Sequence, residues 1–434
     1  MKHLISAALV LSFSLFGYGQ SASTILGNDA VGIIDSLSNK LLSGYLYPEK
    51  AKKIVTLLQD HKFQLSGTQQ LETKKFVDEV NTIMFDVTSD HHLKFYYDPE
   101  KFETFLSANE SIIDSIEQEQ YRRINFGVQK VENLTSNIGF LRLNKFQQYE
   151  DVQDVLLGAM MVLANSDAVI IDLRINGGGD GRTKEYLESF FLSEKAFFSR
   201  EVEFIDTVQF REINRSCSTC ARLEDVPLCI LTGNGTFSAA EGFCYDLQQA
   251  GRARIIGTKT KGGGHSGSSV ALSKGFLVFI PVSGKNSPIE GVGIMPDLET
   301  REDVADLSAK KLIIDEFIAA CAETALLAQY RWNAQTMDAY LAESAPHQQT
   351  PKSVEGEYSR GFSVTIIDGE PYLLNRKNEM KSRLVAIEAN YFIARDNTDF
   401  GDGNYRIQFL DDGKAKLQVN LGVKIAEMPL EKKN

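Results

Sequence analysis

Apolar residues recur at helical spacing from Val31 to Asn81, through Ile33-Ile34, Leu41-Leu42, Ile54 to Leu58, Phe76-Val77 and Val80, with a break at Ser66-Gly67-Thr68. This predicts a small helical domain, closed by residues 86–97, where alternation replaces helical spacing. Residues 98–133 are polar and charged, which predicts a connector with no core of its own. From Asn137 the pattern sharpens: Ile138 to Leu143 is a strand, Val152 to Leu163 an amphipathic helix, and Ala168 to Arg174 a buried strand opening into Asn176-Gly177-Gly178-Gly179-Asp180. A helix (Lys184 to Leu192), strands near Phe197–Phe204 and Thr207–Ile213, the apolar run Val226 to Leu231 and a helix from Ala239 to Ala250 follow. The strand Ala253 to Ile256, a glycine loop at Gly262-Gly263-Gly264, a hairpin from Ser269 to Val282 and one long helix from Asp306 to Leu327 complete this stretch. Strands alternating with helices predict an α/β core with a largely parallel sheet. From Gln348 short alternating strands with turn signals, such as Ser363 to Ile367 before Asp368-Gly369, predict a small all-β domain.

The remaining boundaries follow from composition. With 434 residues, 43% hydrophobic and 24% charged, the chain suits two or three globular domains. Its net charge of −12 and pI near 5.2 argue against a nucleic-acid partner. Met1-Lys2-His3 precedes an apolar run from Leu4 to Phe16 and small residues at Gly17 and Gly19, the layout of a secretory signal cut near Gln20. That run is too short to span a bilayer, and no later stretch suffices. The expected protein is exported, periplasmic or extracellular, with no lipid-anchor cysteine after the leader. The expected layout is a signal peptide at 1–19, a helical domain at 20–97, a connector at 98–135, the core at 136–330, a linker at 331–350 and the β domain at 351–434. Of five cysteines, Cys217 and Cys220 are the close pair, either a small-loop disulfide or two free thiols; nothing nearby completes a zinc site.

One serine stands where chemistry is favoured. Ser238 lies between the apolar run ending at Leu231 and the helix from Ala239, where orphan N–H groups and the helix dipole favour a developing anion. Ser238 and Glu241 also form a capping-box pattern; cap and nucleophile are compatible roles. A serine nucleophile needs a base. Of six histidines, His3 leaves with the signal, and His61 and His347 read as surface residues. His265 ends the glycine loop, and His91-His92 open a strand.

Five motifs occur in order: Asp90-His91-His92-Leu93, Asp172 to Gly179, Thr236 to Glu241, Thr260 to Gly264, and Glu290 to Asp297. Together they resemble the S41 serine peptidases, the tail-specific or C-terminal processing family, over roughly residues 30–300. They are most similar to the branch holding the tricorn protease core and the interphotoreceptor retinoid-binding protein repeats. The resemblance implies a crotonase/ClpP-like βα core and a serine endopeptidase acting on protein or peptide substrates without metal or other cofactor. It implies Ser238 as nucleophile, His92 as base with His91 as runner-up, Glu290 as the orienting carboxylate, and the backbone N–H groups of Gly178 and Ala239 as the oxyanion hole. The bacterial processing branch instead places a lysine base 25 positions after the serine, where this chain has Gly263, with Lys259 and Lys261 out of register. The PDZ domain of that branch has no counterpart here. Asp172 reads as a brace for the strand-end loop and Asp297 as a turn residue. A non-catalytic carrier of apolar ligands or peptides on the same fold is the alternative. The sequence does not fix an oligomeric state.

Overall fold

A computed structural model describes residues 24–65, 69–106, 118–193, 220–343, 354–377, 380–388, 390–395, 404–410, 413–421 and 424–433. The expected leader, Cys217, the strands expected within 197–213 and His347 lie outside the described residues. The chain divides into two compact units, Met1–Ser115 with Gly263–Gly291, and Ile116–Gly262 with Val292–Asn434.

In the first unit, β1 (Thr24–Leu26) pairs antiparallel with β2 (Gln70–Glu72) beside helices α1 (Gly27–Gly44), α2 (Pro48–Leu65) and α3 (Thr73–Thr88). Ile33, Leu37, Leu41, Ile54, Leu58, Phe76, Val80 and Met84 are the residues that the helical spacing singles out or continues, and they form this unit's apolar core. Helix α3 ends at Ser89, which takes a left-handed conformation (φ 54°) and releases the chain into β3 (Lys94–Tyr97) and α4 (Pro99–Leu106).

The second unit opens with β4 (Val128–Leu134) and β5 (Ile138–Leu143), followed by α5 (Tyr149–Leu163), β6 (Ala168–Asp172), α6 (Gly181–Glu188), β7 (Leu228–Thr232), α7 (Ala239–Gln249) and β8 (Arg254–Gly257). The expected connector therefore contains structure at both ends, a helix at α4 and a strand at β4. The strand was hidden because, among the described residues, it is a sheet edge paired with β5 alone, so four of its seven residues are polar or charged. Next, β9 (Ser266–Ala271) and β10 (Phe276–Ser283) return to the first unit, where β10 sits between β3 and β9. Finally β11 (Leu298–Glu299) completes the six-stranded sheet of the second unit, in the order β11-β8-β7-β6-β5-β4. Only the β4–β5 pair is antiparallel; the other pairs are parallel. Right-handed helical crossovers are the connections such parallel pairs require.

The expected single helix at 306–327 is two, α8 (Ala305–Ala320) and α9 (Thr324–Glu343), separated by Cys321 to Glu323. Most of the expected linker at 331–350 is thus helix. Tyr330, Ala334, Met337, Ala339 and Tyr340 of α9 are buried with residues of α8 and the sheet, so the helix is apolar on more than one side and lacks a clean stripe. Strands β12 (Gly356–Glu357), β13 (Phe362–Ile367), β14 (Glu370–Asn375), β15 (Met380–Glu388), β16 (Tyr391–Arg395), β17 (Tyr405–Phe409), β18 (Lys414–Asn420) and β19 (Ile425–Glu431) form an antiparallel meander. A bridge from Tyr358 to Lys432 brings its two ends together, curling the sheet into a barrel. Alternation sends Leu384, Phe392, Ala394 and Ile407 inward, while Val385 and Ile393 pack outward with α8 and α9.

Candidate active site

In the second unit, strands β6 and β7 are buried at every position and run parallel with Ile171 opposite Ile230. Their carboxyl ends therefore release the Asn176-Gly177-Gly178-Gly179 loop and the serine turn at the same edge of the sheet, where ligand sites form in α/β folds. The two loops are tied together. Gly235 N–H donates to the Arg174 carbonyl (3.1 Å), Phe237 N–H to the Asn176 carbonyl (3.0 Å), and the Thr236 hydroxyl to the Leu173 carbonyl (2.8 Å). These bonds hold Ser238 at φ 58°, ψ −124°, outside the regions that L-residues ordinarily occupy. Such strain persists only where surrounding contacts over-determine it.

Gly178 touches this turn. At φ 89°, a Cβ there would stand 2.7 Å from both the Phe237 carbonyl oxygen and Ser238 Cβ, and 2.9 Å from Ala239 N, so only glycine fits. Ala239 opens helix α7, among the N–H groups that have no partner within a helix. The Gly178 N–H, in contrast, donates to Asn176 Oδ1 at 2.9 Å. An oxyanion role for it requires that this bond be shared or released.

Glu241 is fully buried and serves as more than a cap. Its Oε2 accepts the Ser238 N–H (2.9 Å), the reciprocal half of a capping box, and its Oε1 accepts the Thr260 hydroxyl and the Gly262 N–H (2.6 Å). Thr260 Oγ1 in turn accepts the Ile294 N–H at 2.7 Å. One carboxylate thus joins the serine turn to residues 260–262, a link that local pattern alone does not reveal. Lys261 is exposed, with its ammonium 6.0 Å from the Phe237 ring centroid. Asp172 is buried with Arg142 and Arg174, whose guanidinium groups offset its burial and hold its carboxyl below the usual range, the expected brace. Asp297, expected only to turn the chain, receives the Ile255 N–H (2.7 Å) and the Gln248 side chain (3.0 Å), tying the start of β11 to β8.

The first unit holds the histidines. Asp90 Oδ1 accepts the N–H groups of His92 (2.9 Å) and Leu93 (3.3 Å), a turn that places consecutive side chains oppositely. His91 is exposed against Phe85 (ring centroids 5.0 Å apart), whereas His92 is buried beside Phe279 (6.0 Å). Burial pushes the His92 imidazole down to about 4, with Asp90 acting in the opposite direction. His61, expected at the surface, is mostly shielded, 3.5 Å from Glu79. The larger surprise is His265, also buried. Its Nδ1 meets Asp90 Oδ2 at 2.9 Å and Glu290 Oε2 at 3.4 Å, and its Nε2 meets the Tyr47 hydroxyl at 3.1 Å. Burial disfavours its charge, but the Asp90 carboxylate outweighs burial and raises its proton affinity. Tyr45 donates to Asp90 Oδ2 at 3.0 Å, and the Gly264 N–H to Glu290 Oε2 at 2.6 Å. Glu290 therefore faces His265. Asp90, His265 and Glu290 offer ligand atoms within 4.8 Å of one another, the group among the described residues with metal-ligand spacing.

Cys229 and Cys244 are buried free thiols; burial pushes Cys229 up to about 12 and Cys244 higher still, so neither is a nucleophile. Cys220 is a half-cystine.

Residues 137–300 match the sequence model of Peptidase family S41. That stretch is similar to the family S41 core. The match includes Gly178, Ser238, Ala239 and Glu290, while His92 lies ahead of it. Carboxyl-terminal-processing proteases of Picosynechococcus and Synechocystis are 29% and 30% identical over 165 and 167 residues, each match covering 37% of this chain and 38% and 37% of those proteins. The chain thus spans less than two fifths of the length of these curated relatives. Among solved structures, the tricorn protease aligns over 70% of this chain and 37% of its own, with 12% identity and a TM-score of 0.41.

Proposed function

We propose that the protein is an exported serine endopeptidase that cleaves protein or peptide substrates through an acyl-enzyme. The observation that carries this reading is the S41 core with Ser238 held in a strained turn against Gly178 at the head of α7. In the proposed reaction His92 takes the Ser238 hydroxyl proton as Oγ attacks the substrate carbonyl, then returns it to the leaving amine; water repeats the sequence on the ester. The Ala239 N–H, with that of Gly178 once freed from Asn176, receives the carbonyl oxygen as it becomes an anion.

His92 fits the base role in one respect and strains it in another. Burial keeps its ring neutral, which is the proton-accepting form, but also makes it weakly basic, and a base works best near the operating pH. A neighbouring carboxylate corrects this by stabilising the imidazolium. Asp90 already acts in that sense, and Glu290 is proposed to add to it during turnover.

The assignment of the His-based branch rests on His92, on Glu290 and on Gly263 standing where a lysine base is expected. The test is hydrolysis of an unstructured protein by the purified chain and its Ser238→Ala variant. Cleavage is expected to vanish in the variant while far-UV dichroism and melting temperature stay unchanged; equal turnover in both removes the assignment.

A further inference from the structure

We propose that Asp90, His265 and Glu290 form a binding site for a divalent transition-metal ion of the Zn²⁺ class. The three side chains come from the turn after α3, the end of the glycine loop and the segment after β10, all within the first unit. A tetrahedral ion about 2.0 Å from nitrogen and oxygen donors spaces them about 3.3 Å apart. His265 Nδ1 stands 2.9 Å from Asp90 Oδ2 and 3.4 Å from Glu290 Oε2, with all three ligand atoms inside 4.8 Å, so small side-chain movements complete the geometry.

The surroundings match what a metal site requires beyond its ligands. Ligating imidazoles have their second nitrogen fixed by a hydrogen bond, and ligating carboxylates are themselves bonded. Here Tyr47 holds His265 Nε2 (3.1 Å), Tyr45 holds Asp90 Oδ2 (3.0 Å), and the Gly264 N–H holds Glu290 Oε2 (2.6 Å). An ion pair alone leaves two features unanswered. Two carboxylates converge on a single imidazole, and the nearby Lys50 ammonium donates to the Thr88 carbonyl (3.1 Å). The second oxygen of Glu290, Oε1, is buried with no hydrogen-bond partner. An ion seated on Nδ1, in place of the proton there, joins the imidazole to both carboxylates and gives the Glu290 carboxylate a further partner. The mixed imidazole and carboxylate set suits Zn²⁺ or Co²⁺ better than Ca²⁺ or Mg²⁺, which prefer all-oxygen shells.

Binding itself does not depend on the peptidase reading. Its consequence rests on that reading: an occupied site ties down Glu290, and the metal becomes a reversible inhibitor. The test is calorimetric titration of Zn²⁺ into the untagged, chelator-treated chain, with Co²⁺ absorption as the second readout. One saturable ion per chain is expected, with an intense tetrahedral Co²⁺ spectrum. His265→Asn and Glu290→Gln are each expected to weaken binding by about 100-fold or more, and Tyr45→Phe by about 10-fold. Glu290 is partly exposed, so its variant keeps the test valid where the His265 change harms folding. No saturable binding, or binding unchanged in the Glu290→Gln chain, overturns the site. Labelling of Ser238 by a fluorophosphonate without metal is scored separately, so that failure of the peptidase reading is not mistaken for failure of the site.

Discussion

Two adjacent histidines with the same chemistry end up in opposite environments, and that difference can be measured. His91 faces solvent and His92 is buried, so His91→Ala is expected to leave peptide turnover within about 2-fold, whereas His92→Ala is expected to lower it by at least about 100-fold. The burial of His92 also couples folding to pH. Its proton affinity falls from 6.5 to about 4 on folding, so the unfolded chain binds the extra proton, and stability due to the neutral ring is lost as pH falls from 6.5 toward 4. A His92→Phe variant should show a flatter loss of urea midpoint across that window; an unchanged slope contradicts the assignment. Glu241 is the other residue with a measurable burden. Glu241→Ala leaves two backbone N–H groups and the Thr260 hydroxyl without their acceptor in a buried setting, an expected loss of about 3 kcal/mol or more by chemical denaturation. A loss below about 1 kcal/mol shows that water or another acceptor replaces it. Ser238, Glu241 and the histidine pair were all legible as residues of interest. The partnership of His265 with Asp90 was not, because it joins positions 175 apart in sequence and depends on two tyrosines that helical spacing marks only as core or flank.

At the scale of elements, the buried strands and amphipathic helices announced themselves, while those serving two neighbours or one did not. Strands β6 and β7 read plainly because both faces are covered, giving continuous apolar runs. Edge strand β4 carries Gln129, Lys130, Glu132 and Asn133 and looks like a connector; helix α9 is apolar toward both α8 and the barrel and looks like a linker. The same logic identifies the loop after β6 as an element that tolerates no side chain. Gly178→Ala forces a positive φ on alanine and drives its methyl into the Phe237 carbonyl and Ser238 Cβ, both 2.7 Å away. The expected result is loss of serine labelling with the sheet retained, judged by near-native far-UV dichroism; full labelling contradicts the proposed role of this contact.

At the largest scale, a buried cation adds to the apolar packing that fastens the barrel to the rest of the second unit. The Arg406 guanidinium lies 3.7 Å from the Trp332 ring centroid and donates to the Trp332 carbonyl, to Thr336 Oγ1 (3.0 Å) and to Gln335 Oε1 (2.7 Å). Arg406→Met keeps much of the volume but removes these bonds, although the Trp332 carbonyl keeps the Thr336 hydroxyl (3.0 Å), with an expected cost of about 3 kcal/mol and separation of barrel melting from core melting in calorimetry. A single unchanged transition shows that apolar packing of Val385 and Ile393 suffices. That attachment could not be read from the sequence, where a lone arginine in a strand of alternating pattern looks like an exposed residue. Fluorophosphonate labelling of the purified chain with mass mapping, beside the Ser238→Ala variant, tests the proposed chemistry most directly. Stoichiometric label on Ser238 that vanishes in the variant is the predicted result. A well-folded chain that takes no label, or takes it on another serine, contradicts the account.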